Sequence, residues 1–294
     1  MRGDRCRDLR PRDEFADQVG LRRRGSSGQF FDDVHHPTLA TGRRYSGADW
    51  QTVGIDTPDL TIDWAALFSR ADPVEISTPV LLTILVIAAL LSVPRVTWQV
   101  FGLFTTLVHE LGHALAAILT GRVVHGIRIR RNHSGEAVSS GRGGFGSVVS
   151  GVMGYPAPAI VGAAQLWSVF NGYTALALFI GGVILLVTIL VIRNAFGVIV
   201  VLVSAAVSAG LWFYAPPEVQ SYALLVIGIS LLVGSVRGLA TVVGVHTRRR
   251  TQLQTSDAYL LYRSTGVPSP VWLALFAVLI VGSVIFAVWA YLGR

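Results

Sequence analysis

The sequence predicts an all-α polytopic membrane protein with about six to seven transmembrane helices, a small cytoplasmic β-hairpin and a disordered N-terminal tail. Three observations predict it. From Thr78 onward the chain falls into apolar runs near the length, about 20 residues, that a helix needs to cross the hydrocarbon core of a bilayer. Hydrophobic residues make up 52% of the chain, charged residues only 14%, and the mean hydropathy is +0.57. A soluble domain carries about 25% charged residues, so an ordinary soluble enzyme is excluded. Charge is also divided unevenly. Residues 1–75 hold 11 Arg against 13 acidic residues, whereas 76–294 hold 13 Arg against four. The chain therefore reads as two parts: a polar tail, 1–75, and a membrane domain, 76–294.

The tail is rich in Arg, Asp, Gly, Ser and Thr, a composition too poor in apolar side chains to offset the entropy of ordering. No apolar run closely follows Arg22-Arg23-Arg24, so the triplet is no secretory or twin-arginine signal. A short helix is expected around Ile62–Phe68. Spans are expected near 78–93, 97–120, 147–170, 173–192, 195–214, 221–243 and 270–292. Gly151, Gly154, Pro156 and Pro158 interrupt the third, which predicts a broken or re-entrant helix. Between the second and third, Val123–Arg130 alternates apolar with charged residues and Asn132–Gly135 reads as a turn, hence the hairpin.

Arginines orient the spans. They fall in alternate loops, at Arg122–Arg142, Arg193 and Arg248–Arg263, and the positive-inside rule makes that side cytoplasmic. Counting seven spans back along the chain puts the N-terminus on the same side, in a plasma membrane. The arginines form no single dense patch, so no nucleic-acid partner is expected. Cys6 stands alone, which excludes an intrachain disulfide and a cysteine zinc site.

Chemistry concentrates in the second span, at His109-Glu110-Leu111-Gly112-His113. Residues four apart share a helix face, so two imidazoles can hold one zinc ion while the intervening Glu acts on water. An ionised side chain in a membrane helix is costly, and Glu110 is one of only four acids after residue 75. A zinc site of this kind needs a third oxygen or nitrogen ligand. His125, His133, Glu136, Glu218, His246 and Asp257 are the choices. Glu218 falls on the outer side, away from the cytoplasmic half where His109 lies. His125, His133 and Glu136 are expected on the hairpin facing water, and His246 at the interface. Asp257 is on the cytoplasmic side, at what reads as a helix start.

These residues resemble the site-two protease family of intramembrane zinc metallopeptidases. Besides the HELGH helix, Thr120-Gly121-Arg122-Val123-Val124 and Ile127-Arg128-Ile129 are similar to that family's Gly-turn and strand. Gly154-Tyr155 and Ser256-Asp257-Ala258, with Thr265, Pro268 and Trp272, resemble a bacterial branch. Better-known members carry Asp-Gly where this chain has Asp257-Ala258. The resemblance covers about 78–294. It implies Zn2+ held by His109, His113 and Asp257, with Glu110 as the catalytic residue. The implied partners are the lipid bilayer and a membrane-protein substrate cut in or near its spanning segment. The alternative from another class is a non-catalytic zinc-binding membrane sensor or assembly factor. A metal transporter would want acids or His on several spans, and the fourth and fifth carry neither.

Overall fold

The computed structural model describes residues 64–293. The chain separates into Met1–Ile55, which lies wholly outside the described residues, and Asp56–Arg294. The expectation of a disordered tail therefore falls outside the described residues for 1–63. The expected short helix is present as α1 (Trp64–Phe68), which sets Trp64 edge-on against Phe179, ring centroids 5.8 Å apart.

Helices dominate, as the apolar runs predict. They are α2 (Thr78–Ser92), α3 (Arg95–Leu119), α4 (Phe145–Val152), α5 (Ala157–Phe170), α6 (Thr174–Val191), α7 (Ala195–Tyr214), α8 (Pro217–Thr247), α9 (Asp257–Thr265) and α10 (Ser269–Leu292). A 3-10 turn, Arg250–Thr255, joins α8 to α9. Prolines set several boundaries. Pro79, Pro217 and Pro270 sit in first turns, where a missing N–H costs nothing. Pro94 ends α2, and Gly266, at φ +76°, closes α9 in the left-handed conformation.

Five of these helices, α3, α6, α7, α8 and α10, are long and apolar enough to cross a membrane. The interrupted span is a bent pair, α4 and α5, turned by 69° at the break, and it makes a sixth if counted as one. The expected first span, α2, has 15 residues and is too short for a full crossing. Its C-terminal carbonyls find a partner inside the bundle. Arg237, in the latter half of α8, donates through Nη1 to Ser92 O and Val93 O, each at 3.0 Å, and its guanidinium covers the Trp98 ring.

The best-packed pair is α5 with α8. Apolar burial drives little association between helices in lipid, so close backbone approach matters more. Gly162 and Gly228 supply it: a Cβ on Gly162 would collide with the Gly228 carbonyl. Around them Ala159, Ala163, Leu166, Leu224 and Leu225 form the main core together with Ile84, Ala88 and Ile280.

The hairpin is present as β1 (Val123–Ile129) paired antiparallel with β2 (Gly135–Ser140), with a register irregularity between Val124 and Gly126. It docks against the flank of α3. The turn carries His133 at φ +62°, whose ring lies by Trp98 and whose Nε2 bonds Gln99 O at 3.2 Å. Ile127 and Ile129 point inward and are fully buried, while Arg128 and Arg130 point out. The outer edge of β1 is closed by the α6–α7 link. Arg193 N donates to Ile127 O at 2.8 Å, and the Asn194 amide bonds both Ile129 N and Ile129 O.

The bundle has two ends. Ala71 N donates to Gly172 O at 3.0 Å, and Phe170 meets Tyr291, so the start of the described chain, the α5–α6 turn and the end of α10 share one end. Residue 193 and β1 mark the other. Across α2 and α3 the chain therefore passes from the Gly172 end to the Arg193 end.

Candidate metal centre

Three elements remote in sequence converge on one point. Helix α3 brings His109 and His113 to one face by their spacing of four. The start of α9 brings Asp257. The break between α4 and α5 forms the wall opposite.

The three atoms facing one another make a nearly regular triangle. His109 Nε2 and His113 Nε2 are 3.1 Å apart, and Asp257 Oδ2 lies 3.3 Å from the first and 3.2 Å from the second. All three side chains are largely buried, each less than one-fifth exposed. His113 Nδ1 is 2.6 Å from Ser150 O, which can only accept, so Nδ1 carries a proton; in the neutral ring that a metal would bind, Nε2 is then the lone-pair nitrogen. Asp257 Oδ2 is buried and receives no hydrogen bond. With both rings neutral and Nε2 unprotonated, three lone pairs would face one another here, an arrangement that a shared cation relieves. Tetrahedral zinc with bonds of 2.0–2.1 Å separates its ligand atoms by about 3.3 Å. The triangle matches that spacing, so these residues fit the metal.

Each of the two imidazoles is braced differently. Ser150 grips His113 twice, accepting from Nδ1 and donating its hydroxyl to His113 O at 2.9 Å. His109 is held by packing: Tyr155 stands edge-on to it, centroids 4.7 Å apart, and Tyr155 in turn stacks on the fully buried Phe276. Between Ser150 and Tyr155, Gly154 brings bare backbone up to the imidazoles. A Cβ there would collide with His113 Nε2 and come within 2.7 Å of His109 Nε2.

Glu110 is buried, 4% exposed, and lies within electrostatic reach of His109, His113 and Asp257. It does not join the triangle. One helix position on from His109, it points under the hairpin, where a Cβ on Gly135 would collide with its carboxylate.

The remaining sequence candidates lie elsewhere. His125 Nε2 bonds Ser140 Oγ, His133 is held at Gln99, and Glu136 pairs with Arg130 at 3.3 Å. Glu218 opens α8 at the Gly172 end, and His246 bonds Ser256. Among the described residues, the only group of three or more His, Cys, Asp or Glu side chains close enough to hold one metal ion is His109, His113 and Asp257. Sequence reasoning missed Ser150, which carries no signal of its own, and Gly135, which reads only as a turn residue. Gly154-Tyr155, followed by Pro156 and Pro158, is legible as a break.

Comparison with known proteins gives one match. A protein-family model described as Peptidase M50B-like matches residues 81–287, which takes in the two imidazoles, Glu110, Asp257 and every brace named above. No curated protein and no solved structure matches the chain.

Proposed function

Because the chain belongs to the Peptidase M50B-like family, a multi-pass membrane family of metallopeptidase hydrolases, we propose that it is a zinc-dependent intramembrane endopeptidase. It would hydrolyse peptide bonds in or near the membrane-spanning segments of substrate proteins. The observation that carries this reading is the convergence of three potential ligand atoms, two Nε2 and one Oδ2, next to a buried carboxylate that stays outside the group.

His109, His113 and Asp257 would hold zinc, leaving a fourth position for substrate or water. Bound there, zinc supplies Lewis-acid polarisation and lowers the pKa of water towards ~7. Glu110 takes the proton of the attacking water and later delivers it to the leaving nitrogen. Ser150 and Tyr155 keep the imidazoles aimed. The α4–α5 break lets bare backbone approach the imidazoles at Gly154, where a side chain would collide with them. A substrate helix must unwind locally to bring a carbonyl to this point, because a helical peptide bond has its carbonyl engaged.

The Arg193 end faces the cytoplasm, with Arg193, Arg248, Arg249, Arg250 and Arg263 at or near it. Asp257 and its partners lie towards that end. Residues 64–77 then lie on the outer side of the plasma membrane. The expectation of a cytoplasmic N-terminus took α2 and α3 as one full crossing each; residues 1–63 lie outside the described residues.

Glu110→Gln separates the readings. A peptidase loses hydrolysis and keeps stoichiometric zinc. Cleavage that persists in this variant would overturn the mechanism, and zinc-dependent signalling that needs no Glu110 would favour a sensor. Loss of zinc is expected from His109→Ala, His113→Ala and Asp257→Ala. Unchanged zinc content in all three, measured by elemental analysis, would overturn the metal centre.

A further inference from the structure

Asp257 reaches the metal group from the start of a short helix, at the end of an irregular connection. Its partners, His109 and His113, stand within a long helix and are braced by Tyr155 and Ser150. The first turn of a helix frays readily unless something ties it down. Ser256, immediately before Asp257, occupies the N-cap position, and it is buried, 5% exposed. A serine there ordinarily turns its hydroxyl onto the free amides of the first turn. Ser256 makes no such bond. Its Oγ is directed away from α9 and shares a hydrogen bond of 2.8 Å with His246 Nε2. His246 stands in the last turn of α8, on the far side of the 3-10 turn Arg250–Thr255.

We infer that His246 is a positioning residue for the metal centre: through Ser256 Oγ it ties the end of α8 to the start of α9 and so sets where Asp257 presents its carboxylate. The inference rests on Asp257 being a ligand. Beyond Ser256, α9 is fixed by Ala258 and Leu261, which pack with Val152 and Phe276. Leu261 also fills the space above Gly151. These contacts locate the helix body. Backbone bonds at Ser256 N and O hold the first turn to itself, and the Ser256 Oγ bond is the side-chain tie that joins this start of α9 to α8. The same tie links α8 to α9, and α9 packs on α4, the helix that carries Ser150, so two of the three candidate ligands are braced from one side of the site.

The test is zinc affinity of the full chain in detergent, measured by competition with a chromophoric chelator. His246→Ala and Ser256→Ala should each weaken zinc binding by about tenfold, the low end of what loss of an outer support costs a metal site. The double variant should be no weaker than either single one, since both remove the same bond. His246→Gln and Ser256→Thr, which can remake the bond, should bind zinc nearly as the parent does. Asp257→Ala is the reference. If it binds zinc as tightly as the parent, the ligand assignment fails and the inference with it. If Asp257→Ala weakens binding while His246→Ala and Ser256→Ala do not, the ligand assignment stands and the tie is refuted. Losses that multiply in the double variant would also refute it.

Discussion

Gly154 and Gly135 show how little space surrounds the reacting groups. Gly154→Ala places a methyl group among both imidazoles. It should weaken zinc binding by at least about tenfold while leaving helical content, read by circular dichroism, unchanged. Gly135→Ala acts on the other partner, pressing a methyl group into the Glu110 carboxylate. Zinc should stay bound and kcat should fall by about 10²-fold, the smaller end of the effect of misplacing a general base. The two glycines therefore divide metal binding from proton transfer in one assay. His109, Glu110 and His113 were legible in the sequence because their spacing is local and a helix fixes it. The third ligand candidate was narrowed to Asp257 by side of membrane and by its helix-start context. Ser150 was not legible, because a serine in an apolar stretch looks the same whether or not its carbonyl meets an imidazole.

The hairpin shows how an element gains its role from its neighbours. Alternation in Val123–Arg130 and the Asn132–Gly135 turn announce two strands. They say nothing of the docking along α3, which depends on Trp98, Gln99 and the α6–α7 link. Asn194 is the clearest link, since its amide completes the hydrogen bonding of Ile129 on the edge that β2 does not cover. Asn194→Ala leaves the Ile129 amide and carbonyl without these partners. The local loss should be about 1–3 kcal/mol, read as faster amide hydrogen exchange at residues 127–129. Unchanged exchange there would show that the link does not hold the hairpin. The interrupted span shows the converse case. Gly and Pro content predicted the break. The 69° turn that sets Gly154 against the imidazoles arises from the packing of α4 on α3 and α9 and of α5 on α8.

At the scale of the whole molecule, topology is the property most open to test. In a Cys6→Ser background, single cysteines at Asp72 and Glu218, both exposed at the Gly172 end, should react with a membrane-impermeant maleimide from outside intact cells. A cysteine at Arg248 should react only after permeabilisation. Labelling of Asp72→Cys with Arg248→Cys rather than with Glu218→Cys would place residues 64–77 on the cytoplasmic side instead. The sequence by itself determined the class of protein, the apolar helices and their approximate limits, the strand pair and the local half of the candidate metal centre. Each of these rests on periodicity, composition or spacing along one element. The tertiary structure alone decided that the end of α2 is capped by Arg237. It also decided that Asp257 meets His109 and His113 through α9, and that Glu110 lies beneath the hairpin. Those outcomes depend on which surfaces of distant segments pack together, and contacts of that kind leave no periodic trace in the chain.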